Sequence, residues 1–157
     1  MSYGLVLSII GAALAAGLAG IGSAIGVSIA GRAGNGVLSE KPELFGRVLV
    51  LQALPGTQGI YGFLLGVLIM QKIGLIGGGV VELSDWQGWA LLGASIPIAI
   101  VGLVSAIAQG KIAATSILMT GKRPELMTRG MTMTAIVETY AILALLVSIL
   151  LWSTIAV

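Results

Sequence analysis

Glu138 is the one acidic side chain of this chain that falls inside an apolar run. It lies in TMTAIVETYAILALLVSILLW, a stretch long enough to cross a bilayer, whereas Glu40, Glu43, Glu82, Asp85 and Glu125 all fall in polar breaks. An ionisable group near the centre of a span costs roughly 2.5–3.5 kcal/mol, so it calls for a partner and a task. Other polar groups are candidates for that partnership. Leu54, Thr57, Gln58 and Tyr61 are spaced 0, 3, 4 and 7 and share one helical face. Pro55 among them lacks an N–H and crowds the preceding turn, which kinks a helix and loosens backbone carbonyls nearby. With Gln109, the set offers a hydroxyl, two amide oxygens, a backbone oxygen and one carboxylate. That is a hard-oxygen site with a single negative charge, and it suits a small monovalent cation. A proton needs only the carboxyl, and divalent ions usually recruit more carboxylates. The competing reading is plain: polar side chains in membrane helices often act as interhelical hydrogen-bond glue, worth about 0.6–2 kcal/mol.

The elements that must position these groups are membrane spans. The chain has 157 residues, 57% of them hydrophobic and 9% charged, with a mean hydropathy of +1.09. That composition belongs to an all-α integral membrane protein and not to a soluble domain. Cysteine and histidine are both absent, which excludes thiol chemistry, imidazole metal sites and histidine triads. A net charge of +2 with dispersed basic residues gives no nucleic-acid signal. The opening MSYGLVLSII has no basic n-region and is read as a mature span, not a cleaved signal peptide. Apolar runs predict four transmembrane helices, roughly 3–38, 43–74, 85–120 and 125–156, in a single membrane domain over 1–157. Each is longer than a ~30 Å hydrocarbon core requires at 1.5 Å per residue.

The halves match without a gap at an offset of 82, giving internal repeats 1–75 and 83–157. Gly11-Ala12 aligns with Gly93-Ala94, Ser23-Ala24-Ile25 with Ser105-Ala106-Ile107, Pro42-Glu43-Leu44 with Pro124-Glu125-Leu126, and Thr57 with Thr139. A duplicated helical hairpin keeps both copies in one orientation, unlike the inverted repeats of secondary transporters. Gly56 stands at the position of Glu138 and Val27 at that of Gln109, so carboxylate and amide occur once each. Arg32, Lys41, Arg47, Lys111, Lys122, Arg123 and Arg129 lie in or near the two short turns, and Lys72 alone lies at the other end. The short 1–2 and 3–4 turns are therefore expected on the cytoplasmic side and both termini opposite. Trp86, Trp89, Trp152 and Tyr3 gather at that opposite end, as an interfacial aromatic belt would.

Depth follows from counting. Glu138 is 13 residues past Glu125, Gln109 is 13 before Lys122, and Thr57 is 14 past Glu43. At 1.5 Å per residue, all three lie about 20 Å from the turns, at one level. The glycines Gly17, Gly20, Gly22 and Gly26 of GLAGIGSAIG superficially suggest a nucleotide loop, but no strand precedes them. Small residues at this spacing predict close helix packing instead. The Tyr61 hydroxyl is the better tyrosine to hold the Glu138 carboxylate, since it shares the face of Thr57 and Gln58. Lys111 is expected to snorkel to the cytoplasmic surface.

LPGTQGIYGF (54–63), IAQGK (107–111) and VETYAIL (137–143) closely resemble the proteolipid, or K/c-ring, subunit of V-type rotary ATPases, most of all its bacterial sodium-translocating branch. The resemblance covers essentially the whole chain. It implies a homo-oligomeric ring of identical subunits, with the first and third helices lining the inside and the second and fourth outside. It implies Na⁺ held by the Leu54 carbonyl, Thr57, Gln58, Gln109 and Glu138, with Tyr61 hydrogen-bonding the carboxylate. It also implies a stator membrane subunit with a basic residue, central-stalk subunits, and a place in the cell membrane surrounded by lipid bilayer. No organic cofactor is implied. ATP would be hydrolysed on other subunits, and no Walker motif occurs here.

Three other readings stay open: a proton-translocating ring of the same class, a small secondary cation transporter, and a purely structural membrane oligomer. A transporter would usually offer a second intramembrane ionisable group or a broken-helix pair. A structural oligomer leaves the polar face around Pro55 unexplained.

Overall fold

In the computed structural model, which describes residues 2–157, Ser2 and Ser84 open two helices of 38 residues each, α1 (Tyr3–Glu40) and α4 (Asp85–Lys122). The Ser2 hydroxyl accepts from Leu5 N–H. Ser84 accepts from Gln87 N–H, and the Gln87 side chain closes a capping box on the Ser84 N–H. The second span, Pro42–Lys72, is composite: a 3₁₀ turn at Pro42–Leu44, α2 (Phe45–Ala53), a second 3₁₀ turn at Leu54–Gly56, and α3 (Thr57–Lys72). The fourth begins with the matching turn Pro124–Leu126 and continues as α5 (Met127–Thr154). Proline starts both short turns because the first helical position needs no N–H donor. All four spans are long and apolar enough to cross a membrane. At 1.5 Å per residue, α1 and α4 each reach about 57 Å, well beyond a ~30 Å hydrocarbon core.

The long helices α1 and α4 pack against each other in parallel. Gly4 meets the backbone of Leu83 and Ser84 at one end, Gly22 meets Leu103 and Gly26 meets Gly110 in the middle, and Gly121 meets Val37 at the other. A Cβ on Gly22 would lie 2.6 Å from Leu103 Cα, and one on Gly110 would lie 2.7 Å from the Gly26 carbonyl carbon. Backbone contact this close exists only because these positions carry no side chain. Gly17 and Gly20, expected to pack in the same way, have no neighbour within 4 Å of an added Cβ. Two residues along a helix is a turn of about 200°, which carries Gly20 to the side opposite Gly22.

Two buried apolar clusters hold the bundle. One joins Leu65, Ile69, Ile73, Leu91 and Ile98 towards the termini; the other joins Val48, Leu51, Ala113 and Ile117 towards the short turns. Lys41 Nζ donates to the Gly121 carbonyl at 2.5 Å, tying the two short turns together at one end. At the other end Lys72 Nζ donates to the Trp152 carbonyl at 2.5 Å and sits 4.4 Å over the Trp152 ring. A cation there meets the negative end of α5 and an aromatic face together. The prolines inside spans are answered by buried serines. Ser148 Oγ accepts from Ile98 N–H, next to Pro97, at 3.2 Å, and Ser23 Oγ accepts from Gly59 N–H, one turn past Pro55, at 2.8 Å.

Candidate ion-binding site

The 3₁₀ turn at Leu54–Gly56 sets up the site. Pro55 cannot continue the α-helical ladder, so the chain tightens there before α3 resumes at Thr57. The Thr57 hydroxyl donates to the Leu54 carbonyl at 2.9 Å. Leu54, Thr57, Gln58 and Tyr61 thus share a face, as their spacing predicts. That face meets α4 and α5. Gln58 is fully buried and its Nε2 donates to Gln109 Oε1 at 2.6 Å. Tyr61 O–H donates to Glu138 Oε1 at 2.5 Å. Thr57 Oγ1 also approaches Gln58 Oε1 at 3.4 Å. Every site residue read from the sequence is therefore linked to another of the set by a hydrogen bond.

Three partners were not foreseen. Gln109, also fully buried, donates its Nε2 to the Thr134 carbonyl at 3.1 Å. Thr134 precedes Glu138 by one helical turn, so the amide grips the same turn of α5 that carries the carboxylate. The Thr134 hydroxyl donates to the Gly130 carbonyl at 2.8 Å and lies 3.2 Å from Ser116 Oγ, both side chains being buried. A threonine in an apolar run gives no hint of this in sequence, because such hydroxyls usually bond within their own helix. Ser23 is the third; its recurrence as Ser105 marks it as part of the repeat and does not reveal its bond to Gly59.

These bonds fix which atoms are free. Gln109 uses its N–H on Thr134, and its oxygen accepts from Gln58; the Gln58 oxygen is left facing Thr57. Amide, hydroxyl and carbonyl oxygens thus meet along one face of Leu54–Gln58, and the half-buried Glu138 carboxylate is tied to the same face through Tyr61. Among the described residues no group of three His, Cys, Asp or Glu side chains lies together. The donor set is oxygen-rich with one charge, which matches a singly charged cation better than a divalent ion.

Four apolar spans in a duplicated hairpin, with one carboxylate held between the halves by a tyrosine, define an ion-handling membrane protein rather than a catalyst. The profile of the ATP synthase C-subunit family matches twice, over residues 10–69 and 92–151, and the chain belongs to that family. It is similar to the V-type sodium ATPase subunit K of Enterococcus hirae, 47% identical over 148 residues that cover 94% of this chain and 91% of that one. It is also similar to the A-type ATP synthase subunit K of Methanocaldococcus jannaschii, 39% identical over 147 residues, 94% of this chain and 62% of that one. A shorter match of 61 residues, 48% identical, links it to the A-type ATP synthase subunit K of Sulfolobus acidocaldarius, covering 39% of this chain and 60% of that one. The chain is a multi-pass, non-catalytic proteolipid of a rotary ATPase, and catalysis occurs on other subunits.

Proposed function

We propose that identical copies of this chain form a closed ring in the cell membrane, each carrying one Na⁺ at Glu138 as the ring turns. The observation that carries this reading is the Tyr61–Glu138 hydrogen bond of 2.5 Å beside the Gln58–Gln109 pair. Each of these bonds joins a first-half residue to a second-half one, which supports a shared site with one charge and several oxygens, and the similar Enterococcus hirae protein is named for a sodium ATPase. Leu54 (through its carbonyl), Thr57, Gln58, Gln109 and Glu138 would take the ion as ligands, with Tyr61 orienting the carboxylate.

Charge explains the cycle. A bound Na⁺ neutralises Glu138, so a loaded site can pass the lipid; an empty carboxylate facing hydrocarbon pays a penalty of at least about 2.5 kcal/mol. A basic group on a stator membrane subunit would compete for the carboxylate and release the ion. The short turns at Lys41 and Arg123 would face the cytoplasm and meet central-stalk subunits, with both termini opposite. The chain works as one membrane domain of two repeats, 1–75 and 83–157.

Carbodiimide labelling of purified rings near pH 6, with the adduct located by mass spectrometry, tests this. Modification of Glu138 that Na⁺ suppresses is the expected result. Labelling indifferent to Na⁺ would make the ring a proton carrier, and labelling elsewhere would remove Glu138 from the mechanism.

A further inference from the structure

The half of the chain that carries Glu138 also carries a polar seam that the other half lacks. Gln109 and Ser116 stand two turns apart on one face of α4, and Gly130, Thr134 and Glu138 follow at four-residue intervals along α5. Each of the two α4 side chains reaches a backbone carbonyl of α5. Gln109 Nε2 donates to Thr134 at 3.1 Å, and Ser116 Oγ donates to Gly130 at 3.1 Å. The Thr134 hydroxyl closes a triangle, donating to the Gly130 carbonyl at 2.8 Å and lying 3.2 Å from Ser116 Oγ. Ser116 and Thr134 are both buried. Gly130 lets the helices come this close, since an added Cβ would lie 2.9 Å from Ser116 Cβ.

The repeat offset of 82 carries Ser116, Gly130 and Thr134 to Gly34, Val48 and Gln52, and Gln109 and Glu138 to Val27 and Gly56. Gly34 and Val48 also meet: a Cβ added to Gly34 would lie 2.8 Å from a Val48 methyl carbon. The first half thus makes the same contact by shape alone, with the bulk on α2 and no hydroxyl on either side. No carboxylate follows it in that half. Hydroxyls in spans often serve only as interhelical glue; here they occur in the copy whose outer helix must place a charge.

We propose that Ser116 and Thr134 are positioning residues for the ion site: they set the register of α5 on α4, and with it the place of Glu138 relative to Gln109. This rests on the ion site proposed above. The reason is geometric. Gln109 donates to Thr134 while accepting from Gln58 at 2.6 Å, so its oxygen stays with Gln58 only while the Thr134 carbonyl stays within reach. One bond at Gln109 is a pivot about which α5 can slide or turn. The second bond, two turns along α4, removes that freedom, which non-directional apolar packing holds less sharply. Removing the Ser116 hydroxyl strands nothing, because the Thr134 hydroxyl and the Gly130 carbonyl still bond to each other.

Carbodiimide labelling of Glu138 in purified rings, titrated with Na⁺ and separately with Li⁺, tests this. Ser116→Ala should raise the Na⁺ concentration that half-protects Glu138 by about three- to tenfold, the scale of one hydrogen bond. The melting temperature of the ring should stay near that of the unaltered chain. Li⁺ is smaller and asks for another oxygen spacing, so the ratio of the two half-protecting concentrations should shift as well. Partial misfolding lowers the amount labelled and leaves these concentrations alone. Thr134→Val should act in the same direction, and Thr134→Ser should restore the unaltered value. Ser148→Ala, ten residues past Glu138 on α5, should leave both concentrations unchanged. Unchanged values in Ser116→Ala and Thr134→Val, or an equal shift in Ser148→Ala, would overturn the positioning role and leave Glu138 an ion ligand. Loss of the ring in both Ser116→Ala and Thr134→Val would make the pair structural and overturn it too. Labelling of the unaltered chain that ignores Na⁺ would remove the ion-site reading, and this role with it.

Discussion

Tyr61 and Glu138 come from different halves of the chain, and the Tyr61 hydroxyl donates to the Glu138 carboxylate at 2.5 Å. The bond joins the second span to the fourth, two elements that otherwise touch little, since both lean mainly on α1 and α4. A hydrogen bond to a charged group is worth about 1.5–3 kcal/mol, more than a neutral pair. Tyr61→Phe should therefore weaken Na⁺ binding by about tenfold or more while the ring still assembles. The Na⁺ concentration that half-protects Glu138 from carbodiimide measures it; an unchanged value would mean that the tyrosine is only packing.

Glu138→Gln removes the charge and keeps the shape. Transport of Na⁺ into vesicles by the assembled enzyme should fall to background, while the ring assembles as before. Normal transport by that variant would rule out the mechanism.

Gln109 is fully buried, with its Nε2 on Thr134 and its oxygen accepting from Gln58. Gln109→Leu removes an oxygen from the site and strands the Gln58 amide. An unsatisfied buried polar group costs about 1–3 kcal/mol, so both Na⁺ affinity and ring thermal stability should fall. Gln109→Glu should instead restore stability in part and change ion preference. Thermal unfolding of purified rings with and without Na⁺ separates the two effects.

Glycines divide into those that need to be glycine and those that do not. Gly26→Val would drive a side chain into the backbone at Ala106 and the ring of Pro55, and should abolish the folded chain. Gly46, with no neighbour within 4 Å of an added Cβ, should accept alanine and gain up to about 1 kcal/mol of helix propensity. Membrane expression and the melting temperature of each variant report the contrast.

Ser148→Ala leaves Ile98 N–H without its acceptor beside Pro97. The expected loss is about 1–3 kcal/mol of stability with Na⁺ affinity unchanged, because the serine lies away from the site. A shift in Na⁺ affinity would instead tie the Pro97 region to ion binding.

Four spans, a duplicated hairpin and the shared face of Leu54, Thr57, Gln58 and Tyr61 are legible in the amino-acid order alone. They follow from local rules: apolar length, a fixed offset and helical spacing, none of which needs a partner to be known. The same holds for the single carboxylate and single amide, since Gly56 and Val27 stand at the matching places. How those groups meet is a matter of packing. Counting from the turns puts Gln58 and Gln109 at one depth, and the rotation of each helix about its axis then decides that they touch. That rotation is set by where backbone meets backbone, at Gly22, Gly26 and Gly110 for α1 and α4 and at Gly62 against Ala15 for α3. For the same reason a stripe of four glycines could not be sorted in advance into Gly22 and Gly26, which are buried against α4, and Gly17 and Gly20, where an added Cβ would meet nothing within 4 Å. Thr134, Ser23 and Ser148 were illegible because a lone hydroxyl in an apolar helix has its own backbone to bond. Which other acceptor or donor it finds depends on the neighbour that packing brings within reach.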